Sequence, residues 1–310
     1  MTASPDSADL REDSVGIVGV GLIGGSIAAA LKARGYAGTI IGSGRDRSRL
    51  EAAREAGLLD EFTTDPPHAS LVVVCTPVDR IAQDVRLAAA AASPGTLITD
   101  AGSVKGSIRR ELDGAMPEGV AFIGAHPLAG SEKQGFEHAS ADLFVDALCV
   151  VVPSDEASLA HRKAGEPRPM RVVSADEGDP AQALARAERF WHSLGARTLR
   201  MTADEHDRSL ARTSHLPHVA AAALVASLGA SDFPFAATGF RDTTRIASGD
   251  PDLWTAILLA NARPALDAID TFRDRLDEFR TAIAAGQGGA VKKLLAQSKA
   301  RRDEEPGRRP

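Results

Sequence analysis

The sequence has few cysteines, few aromatic residues and no long apolar run. Two of its 310 residues are cysteine, Cys75 and Cys149, which excludes a disulfide-rich scaffold and is typical of a reduced, cytoplasmic protein. The longest apolar stretch, 219–228, falls short of the roughly 18 residues that a membrane span needs, so no membrane partner is expected. Residues 1–13 are acidic and nearly free of apolar side chains, which excludes a signal peptide.

Excess positive charge is also absent. The chain has 36 Lys and Arg against 42 Asp and Glu, a formal net charge of −6, with 44% hydrophobic and 25% charged residues. Binding to nucleic acid requires clustered cations to neutralise phosphates, so nucleic acid is not expected as a partner. The composition is that of a globular protein, and the length favours two domains over one.

The order of apolar runs predicts the architecture of the first half. Runs that lack polar alternation, as strands buried on both faces do, are found at 15–20, 39–41, 71–76, 96–99, 121–124 and 147–152. Segments of helical character lie between them, at 26–33, 48–56, 78–92 and 104–112. Strands that alternate with helices predict an α/β domain with a parallel, doubly wound sheet.

The second half has a different pattern. From residue 181 to about 302 the segments are helix-length and rich in Ala and Leu, with no convincing strand, so an all-helical domain is expected. The α/β domain then spans 14–180, and its proline-rich, charged part at 154–180 is interpreted as an insertion or linker. Residues 1–13 and 303–310 are expected to form flexible tails.

A glycine fingerprint follows the first predicted strand. Gly19, Gly21 and Gly24 form G-x-G-x-x-G, in which the glycines permit a tight turn, close approach of a pyrophosphate and close packing of helix on strand. With Leu22 and Ile23 they are predicted to bind a dinucleotide at the start of a helix. The alternative is a glycine-rich turn without a ligand, and the strand before and the helix after favour binding.

The end of the second strand indicates which dinucleotide binds. NAD-binding domains usually have an acidic residue here, whereas this chain has Ser43 followed by Arg45 and Arg47, which suit a 2′-phosphate. NADP is therefore the preferred cofactor, with NAD possible. The alternative is that the arginines only face solvent. Thr76 and Pro77, at the end of the next buried run, complete the predicted cofactor set.

Two polar residues lie near the carboxyl ends of later strands, where open α/β sheets bind ligands. Ser103 follows the strand at 96–99, although a serine there is also a suitable helix N-cap. His126 follows the strand at 121–124 and is a natural proton acceptor for an alcohol that is being oxidised. A hydrogen-bonded structural histidine is the alternative for His126.

The helical half contains a histidine pair. His215 and His218 are three residues apart and could share a helix face. No cysteine or carboxylate at ligand spacing completes a metal set, so no metal site is predicted.

An arginine pair follows in the same half. Arg241 and Arg245 are four residues apart and would project together, which makes sense if an anion binds near them. Salt bridges to Asp242 or Asp250 are the alternative.

Taken together, these motifs resemble the prephenate/arogenate dehydrogenase family of tyrosine biosynthesis. The matching runs are GLIGGS at 21–26, DAGSVKG at 100–106, GAHPLAGSEKQG at 124–135, SHLPH at 214–218 and GFRDTTRIASGDPDLW at 239–254. The resemblance implies a Rossmann dinucleotide-binding domain over 14–180 and a helical substrate and dimerisation domain over 181–302. It also implies a homodimer that converts prephenate into 4-hydroxyphenylpyruvate by oxidative decarboxylation.

The resemblance also assigns roles to individual residues. His126 resembles the catalytic histidine that hydrogen-bonds the ring hydroxyl, Ser103 the serine that helps to orient it, and Arg245 the arginine that binds a substrate carboxylate. Other positions that match the substrate pocket of the family are His218, Arg241, Ser131, Glu132 and Trp254.

More than one substrate and site arrangement fits the sequence. The resemblance does not separate prephenate from arogenate, nor a site within one subunit from one shared between two. Another two-domain oxidoreductase, acting on a β-hydroxyacid or imine, and a non-catalytic dinucleotide sensor are further alternatives, although neither needs His126 and Arg245 together. The chain has no pattern of an ACT domain, so feedback by tyrosine through such a domain is not expected.

Overall fold

The computed structural model describes Leu10 and residues 12–130, 133–153 and 180–304. In this part of the chain an eight-stranded sheet has helices on both faces and is followed by a region of packed helices. The predicted order, a Rossmann α/β domain and then a helical domain, is confirmed.

The strands of the sheet lie in the order β3-β2-β1-β4-β5-β6-β7-β8. They are β1 (Ser14–Val18), β2 (Thr39–Ser43), β3 (Glu61–Thr63), β4 (Leu71–Val74), β5 (Leu97–Asp100), β6 (Ala121–Pro127), β7 (Leu148–Val152) and β8 (Arg197–Arg200). The reversal of strand order between β1 and β4 creates the crevice in which open α/β sheets bind ligands.

The helices fall into two groups. Those of the sheet domain are α1 (Leu22–Ala33), α2 (Arg47–Glu55), α3 (Ile81–Ala91), α4 (Gly106–Leu112) and α5 (Pro180–Ser193). Those of the helical region are α6 (Ala203–Leu210), α7 (Leu216–Ala226), α8 (Thr238–Thr244), α9 (Pro251–Ala260), α10 (Ala262–Ala284) and α11 (Gly288–Asp303). A π-helical turn, Ala211–His215, joins α6 to α7, and a 3₁₀ turn, Arg245–Ser248, follows α8.

Two apolar clusters cover the two faces of the sheet. Alternate residues of a strand point to opposite faces, so Val73 packs with α1, α2 and α5, whereas Val72 and Val74 pack with α3 and α4. Ile257 of α9 is buried in the second cluster. This contact attaches the helical region to the sheet domain, on the side where α3 and α4 lie.

Two short strands were missed by the sequence analysis. No strand was expected after residue 181, yet β8 pairs in parallel with β7, and α5 packs on the sheet through Phe190 and Trp191. Both β3 and β8 are polar strands at the sheet edges, so they lack the apolar run that indicates a strand buried on both faces. We propose that the boundary between the domains lies after Arg200 rather than at residue 181.

The sheet is not wholly parallel. β7 runs antiparallel to β6, with His126 opposite Val150 in the register. A parallel connection needs a crossover, usually a helix, and the described part of the segment between these strands has only a 3₁₀ turn, Phe136–His138. The prediction of a parallel sheet is therefore confirmed for the pairings from β3 to β6 and for β7 with β8, and it is wrong for β6 with β7.

The predicted tails and insertion lie mostly outside the described residues. Of the first thirteen residues, however, Leu10 is buried in the core and Glu12 accepts hydrogen bonds from Arg186 at 3.0 and 2.8 Å. The described part of that tail thus packs against the sheet domain instead of forming a flexible end. Among the described helices, none combines the length and apolar character that a membrane crossing requires.

Candidate active site

The turn between β1 and α1 is built from the three glycines of the fingerprint. Gly19 has a φ of +92°, a conformation that glycine adopts without steric cost, and its N–H donates to the carbonyl oxygen of Ser43 at 2.8 Å. A Cβ on Gly24 would lie 2.3 Å from the carbonyl oxygen of Gly19, so the turn and helix pack too closely for a side chain. A Cβ on Gly21 would meet no atom within 4 Å, because this residue faces an open groove.

The first turn of α1 supplies donors to this groove. The helix begins at Leu22, and Gly21 before it provides no side-chain cap. The main-chain N–H groups at a helix start, here those of Leu22 and Ile23, have no partner within the helix and form its positive end. Such an end suits a diphosphate.

The groove itself has a volume of about 890 Å³ and lies at the carboxyl ends of β1, β2 and β4. Six of the predicted cofactor residues line it: Gly19, Gly21, Ser43, Arg45, Thr76 and Pro77. The buried hydroxyl oxygen of Thr76 has no hydrogen-bond partner among the described residues, so a ligand could satisfy it. The open space at Gly21, the free helix end and this hydroxyl together fit a dinucleotide.

Two alanine substitutions separate the packing role of these glycines from the binding role. Gly24→Ala should lower the melting temperature, because overpacking of this kind costs about 1 to 3 kcal/mol. Gly21→Ala should leave the melting temperature unchanged and weaken dinucleotide binding by about tenfold or more, because the new methyl occupies the approach of the pyrophosphate. Thermal unfolding and a dinucleotide titration measure the two effects, and parental affinity of Gly21→Ala would contradict the binding role.

The far end of the groove is more basic than acidic. Arg45 is exposed at its rim, and the guanidinium of Arg47 lies over the ring of Phe62 at 5.4 Å. The Ser43 hydroxyl is committed, since it donates to the main-chain oxygen of Asp65 at 2.8 Å. It therefore fixes the turn and does not offer a free donor, and Arg45 is the stronger candidate for a phosphate contact.

A second cluster surrounds His126, near the end of β6. Its Nδ1 lies 2.8 Å from Nε2 of His206, and Nδ1 of His206 lies 2.8 Å from a carboxylate oxygen of Asp207. His206 and Asp207 belong to α6, so the cluster joins the sheet domain to the helical region. The sequence analysis had placed His126 beyond its strand, whereas the structure includes it in β6.

A buried ion pair holds this end of the sheet in place. Lys105 contacts a carboxylate oxygen of Asp100 and donates to the carbonyl oxygen of Ala125 at 2.7 Å. The other carboxylate oxygen of Asp100 accepts the N–H of Ala125 at 3.0 Å. Both main-chain polar groups of Ala125, the residue before His126, are thus hydrogen-bonded. Ser103, which is half-buried, lies in the same loop between β5 and α4.

The surroundings keep His126 neutral. Burial lowers the pKa of His126 well below its usual value, and the neighbouring His206, Lys105 and His215 lower it further. At neutral pH the ring is therefore neutral, with one of its two nitrogens free to accept a proton. This is the state that a proton acceptor needs before it reacts.

The helical region supplies an aromatic and imidazole wall. His218 stacks on Trp254 with ring centroids 3.3 Å apart, and His215 meets the same indole edge-on at 6.3 Å. Nδ1 of His215 accepts a hydrogen bond from the side-chain amide of Asn261 at 3.1 Å, and burial lowers the pKa of His215 to about 4. His215 is the last residue of the π-helical turn before α7, so this irregular turn positions it in the wall.

The two predicted anion-binding arginines are solvent-exposed. Arg241 lies in α8 and Arg245 opens the 3₁₀ turn that packs against α7, the helix of His218. Within the described part of the chain no salt bridge to either guanidinium is found, and Asp250 instead caps α9 and contacts Gln134. The salt-bridge alternative for these arginines is thus not what the structure contains. No contact joins Arg245 to His126 among the described residues.

Some residues of the site were not predicted from the sequence, and two predicted residues are not described by the structure. Ser131 and Glu132 are outside the described residues. The sequence analysis did not identify His206, Asp207 or Asn261. The sequence does carry a signal for two of them, because His206 and Asp207 are adjacent on the buried side of an amphipathic helix. Ionisable residues are seldom buried without partners, so this position indicates a functional or paired role.

Two family models match the chain. The model described as "Prephenate dehydrogenase, nucleotide-binding domain" matches residues 27–162, and "Prephenate dehydrogenase, dimerization domain" matches residues 202–297. A cyclohexadienyl dehydrogenase from Zymomonas mobilis is 34% identical over 287 residues, covering 88% of this chain and 89% of that protein. A prephenate dehydrogenase from Bacillus subtilis is 32% identical over 283 residues, covering 88% of this chain and 70% of that protein.

Solved structures give the same picture. The prephenate dehydrogenase from A. aeolicus in complex with hydroxyphenyl propionate and NAD+ superposes with a TM-score of 0.82 at 28% identity, covering 96% of this chain and 99% of that one. Synechocystis arogenate dehydrogenase superposes with a TM-score of 0.74 at 32% identity, covering 94% and 99%. The similarity thus extends over both domains.

Proposed function

The chain belongs to the prephenate dehydrogenase family, and on this premise we propose that it oxidises prephenate to 4-hydroxyphenylpyruvate and CO2. The observation that supports this best is the position of His126. Its ring is held neutral near the carboxyl end of a strand, on the sheet edge that also forms the dinucleotide groove. The wall of His215, His218 and Trp254 belongs to the helical region. It is linked to His126 by hydrogen bonds, since Asn261 bonds both His215 and the main chain of Asp207, and the neighbouring His206 bonds His126.

Each part of the site has a task in this reaction. When bound, a nicotinamide dinucleotide supplies the acceptor for the two electrons and the hydrogen that leave C4 of the substrate. His126 accepts the proton of the 4-hydroxyl at Nε2, because its Nδ1 is already engaged with His206. Ser103 lies in the neighbouring loop and helps to orient the hydroxyl. Loss of the ring carboxylate as CO2 then makes the ring aromatic, because the electron pair of the broken bond enters the ring and leaves a phenolate oxygen. This oxygen takes back the proton from His126 and gives the phenol.

Binding of the substrate is assigned to the helical region. Prephenate has two carboxylates, and the exposed guanidiniums of Arg241 and Arg245 have no carboxylate of their own to pair with among the described residues. We assign one substrate carboxylate to Arg245, with Arg241 adding positive charge. His218 stacked on Trp254 offers a flat surface for the substrate ring.

The proposal includes a preference for NADP over NAD. Asp46, the first carboxylate after β2, is committed as the N-cap of α2, where it accepts hydrogen bonds from Arg49 N–H and Ser48 hydroxyl at 3.2 and 2.7 Å. Both hydrogen bonds go to Oδ1, and they hold this carboxylate at the start of α2. Arg45 on the rim offers the guanidinium that a 2′-phosphate needs.

Gly44→Asp should reverse this preference. A Cβ at Gly44 meets only Leu50, at 3.8 Å, so the substitution fits without strain. The new carboxylate adds a ribose acceptor and repels a 2′-phosphate, so kcat/KM with NADP should fall about tenfold or more while that with NAD rises. Gly44→Ala is the matched control, with the same Cβ and no charge. Equal use of both cofactors by the parent enzyme would refute the preference.

The proposal also includes a homodimer in the cytoplasm. Large apolar side chains are exposed on the helical region, as expected of a surface that another subunit covers: Phe235, Leu259, Leu266, Leu276, Ile283 and Leu295. The match to a dimerization-domain model supports the same arrangement. Both cysteines are unpaired, in keeping with a reducing compartment.

A steady-state assay tests the substrate. The purified protein should reduce the dinucleotide with prephenate, and kcat/KM should be higher with prephenate than with arogenate. The two substrates differ only in a side-chain keto or amino group, so one protein preparation with both compounds gives a direct comparison. A higher kcat/KM with arogenate would replace prephenate as the substrate while leaving the reaction type intact.

A further inference from the structure

Behind His126 lies a series of hydrogen bonds, of which the proposed function uses only the first, between Nδ1 of His126 and His206. His206 and Asp207 are almost fully buried, with 0% and 5% of their surfaces exposed. We propose that they are positioning residues, which hold His126 in the tautomer with Nε2 unprotonated and balance the charge when His126 takes up a proton. This inference rests on the proposed role of His126 as proton acceptor.

The proton positions follow from Asp207. Its carboxylate accepts the main-chain N–H groups of Lys105 at 2.9 Å and Gly106 at 2.8 Å, at the start of α4. Burial alone would raise the pKa of Asp207, but the hydrogen bonds from His206 and these N–H groups outweigh it and lower the pKa. Asp207 is thus an anion that can only accept, and Nδ1 of His206 must carry a proton toward it.

The protonation of the two imidazole rings follows from this anion. Burial lowers the pKa of His206, and the effect of Asp207 in the opposite direction is smaller, so His206 is neutral at neutral pH. A neutral ring with its proton on Nδ1 has an acceptor at Nε2. The group that donates to it is Nδ1 of His126, at 2.8 Å. The proton of neutral His126 is then on Nδ1, and its Nε2 is a free acceptor.

The charges of the cluster fit this role. Asp100 is already paired with Lys105, so these two buried charges cancel. Among the described residues Asp207 has no Lys or Arg within salt-bridge distance, and the ionisable side chain that it contacts directly is His206. When His126 becomes an imidazolium, Asp207 supplies the opposite charge through His206. A buried cation without such a counterion would be strongly disfavoured.

A hydrogen bond from Asn261 holds the main chain at Asp207 in place. The side-chain amide of Asn261 donates to the main-chain oxygen of Asp207 at 2.9 Å, and Asn261 is itself 2% exposed. Rotation of the His206 ring would break its contacts to His126 in the sheet domain and to Asp207 in the helical region. A competing explanation is that His206 and Asp207 only join the domains, and the experiment has to separate the two roles.

The tautomer of His126 can be read directly in the free parent protein. With ¹⁵N-labelled histidine, two-bond ¹H–¹⁵N correlation spectra distinguish a ring protonated at Nδ1 from one protonated at Nε2, and a His126→Asn sample assigns the signal. We expect the Nδ1–H form at neutral pH. The Nε2–H form would overturn the proposal. Because no substrate is present, this result is independent of whether prephenate is the true substrate.

Substitution of His206 tests the consequence for turnover. His206→Met keeps the volume and leaves Asp207 on the N–H groups of α4, but removes the acceptor for Nδ1 of His126. We expect the signal to shift to the Nε2–H form and kcat to fall by about 10², within the range that general-base catalysis contributes, with substrate KM within about threefold of the parent. His206→Gln, whose carbonyl can still accept, should recover a large part of kcat.

An exposed histidine far from the site provides the matched control. His192→Met removes an exposed histidine on α5, remote from the site, and should leave kcat unchanged. Near-parental kcat of His206→Met would make His206 and Asp207 only structural. The same conclusion would follow if His206→Met lost kcat while His126 stayed in the Nδ1–H form and His206→Gln restored no activity. If His206→Met does not fold, the spectrum of the parent still decides. Absence of turnover by the parent with prephenate would instead refute the proposed function.

Discussion

Replacing His126 with asparagine should lower kcat for prephenate oxidation by about 10² to 10⁴, the usual contribution of a general base. His126 is neutral at neutral pH and one of its ring nitrogens is already bonded to His206, so the other is left to take the hydroxyl proton. An asparagine amide can still bond His206 but cannot accept that proton. Steady-state kinetics should show a much smaller change in substrate KM than in kcat.

The same variant distinguishes chemistry from folding. Far-UV circular dichroism and the melting temperature show whether His126→Asn folds, and His192→Asn, on the surface of α5, controls for the loss of a histidine elsewhere. A folded His126→Asn protein with near-parental kcat would make His126 structural. The mechanism would then need a different proton acceptor.

Replacing Arg245 with alanine should raise KM for prephenate by more than about tenfold, because removing one partner of a charge pair that the bound substrate covers costs about 2 to 5 kcal/mol. In the free protein the guanidinium is exposed and has no salt bridge among the described residues, so its partner is expected to be the substrate. Arg245→Lys should restore part of the affinity, since a single ammonium does not reproduce two parallel N–H contacts.

Stability separates this explanation from a structural one. If Arg245 stabilised the fold through a salt bridge to Asp242 or Asp250, Arg245→Ala would lower the melting temperature and leave KM nearly unchanged. The cap that Asp250 forms on α9 argues against that pairing. Arg263→Ala on α10 is a suitable control, because it removes an exposed arginine from the same region together with its pair to Asp267. It should change neither quantity.

The sequence predicted the parts of the fold that depend on local pattern. Strands buried on both faces have uninterrupted apolar runs, so β1 and β4 were evident, and the glycines at 19 and 24 indicated the turn between β1 and α1. β8, with the sequence RTLR, has no such run because it lies at the sheet edge. Its position depends on pairing with β7, which local pattern does not report.

The same distinction applies to the site. His126 could be found from its place after an apolar run, and Arg245 and Trp254 from the family resemblance. The partner of His126 could not be found in this way, because His206 lies 80 residues away in the chain and the two meet only when α6 packs against α4 of the sheet domain. Likewise, Ser43 was predicted as a phosphate contact, and only the structure shows that its hydroxyl binds the main chain at Asp65.

The central claim is that this chain catalyses the oxidative decarboxylation of prephenate. The most direct test is the stoichiometry of one reaction with the purified parent protein, in which reduced dinucleotide, CO2 and 4-hydroxyphenylpyruvate are measured together. Equal amounts of the three products, formed by the parent and formed far more slowly by His126→Asn, are the predicted result. Dinucleotide reduction without CO2 release, or no reduction with prephenate at all, would contradict the claim.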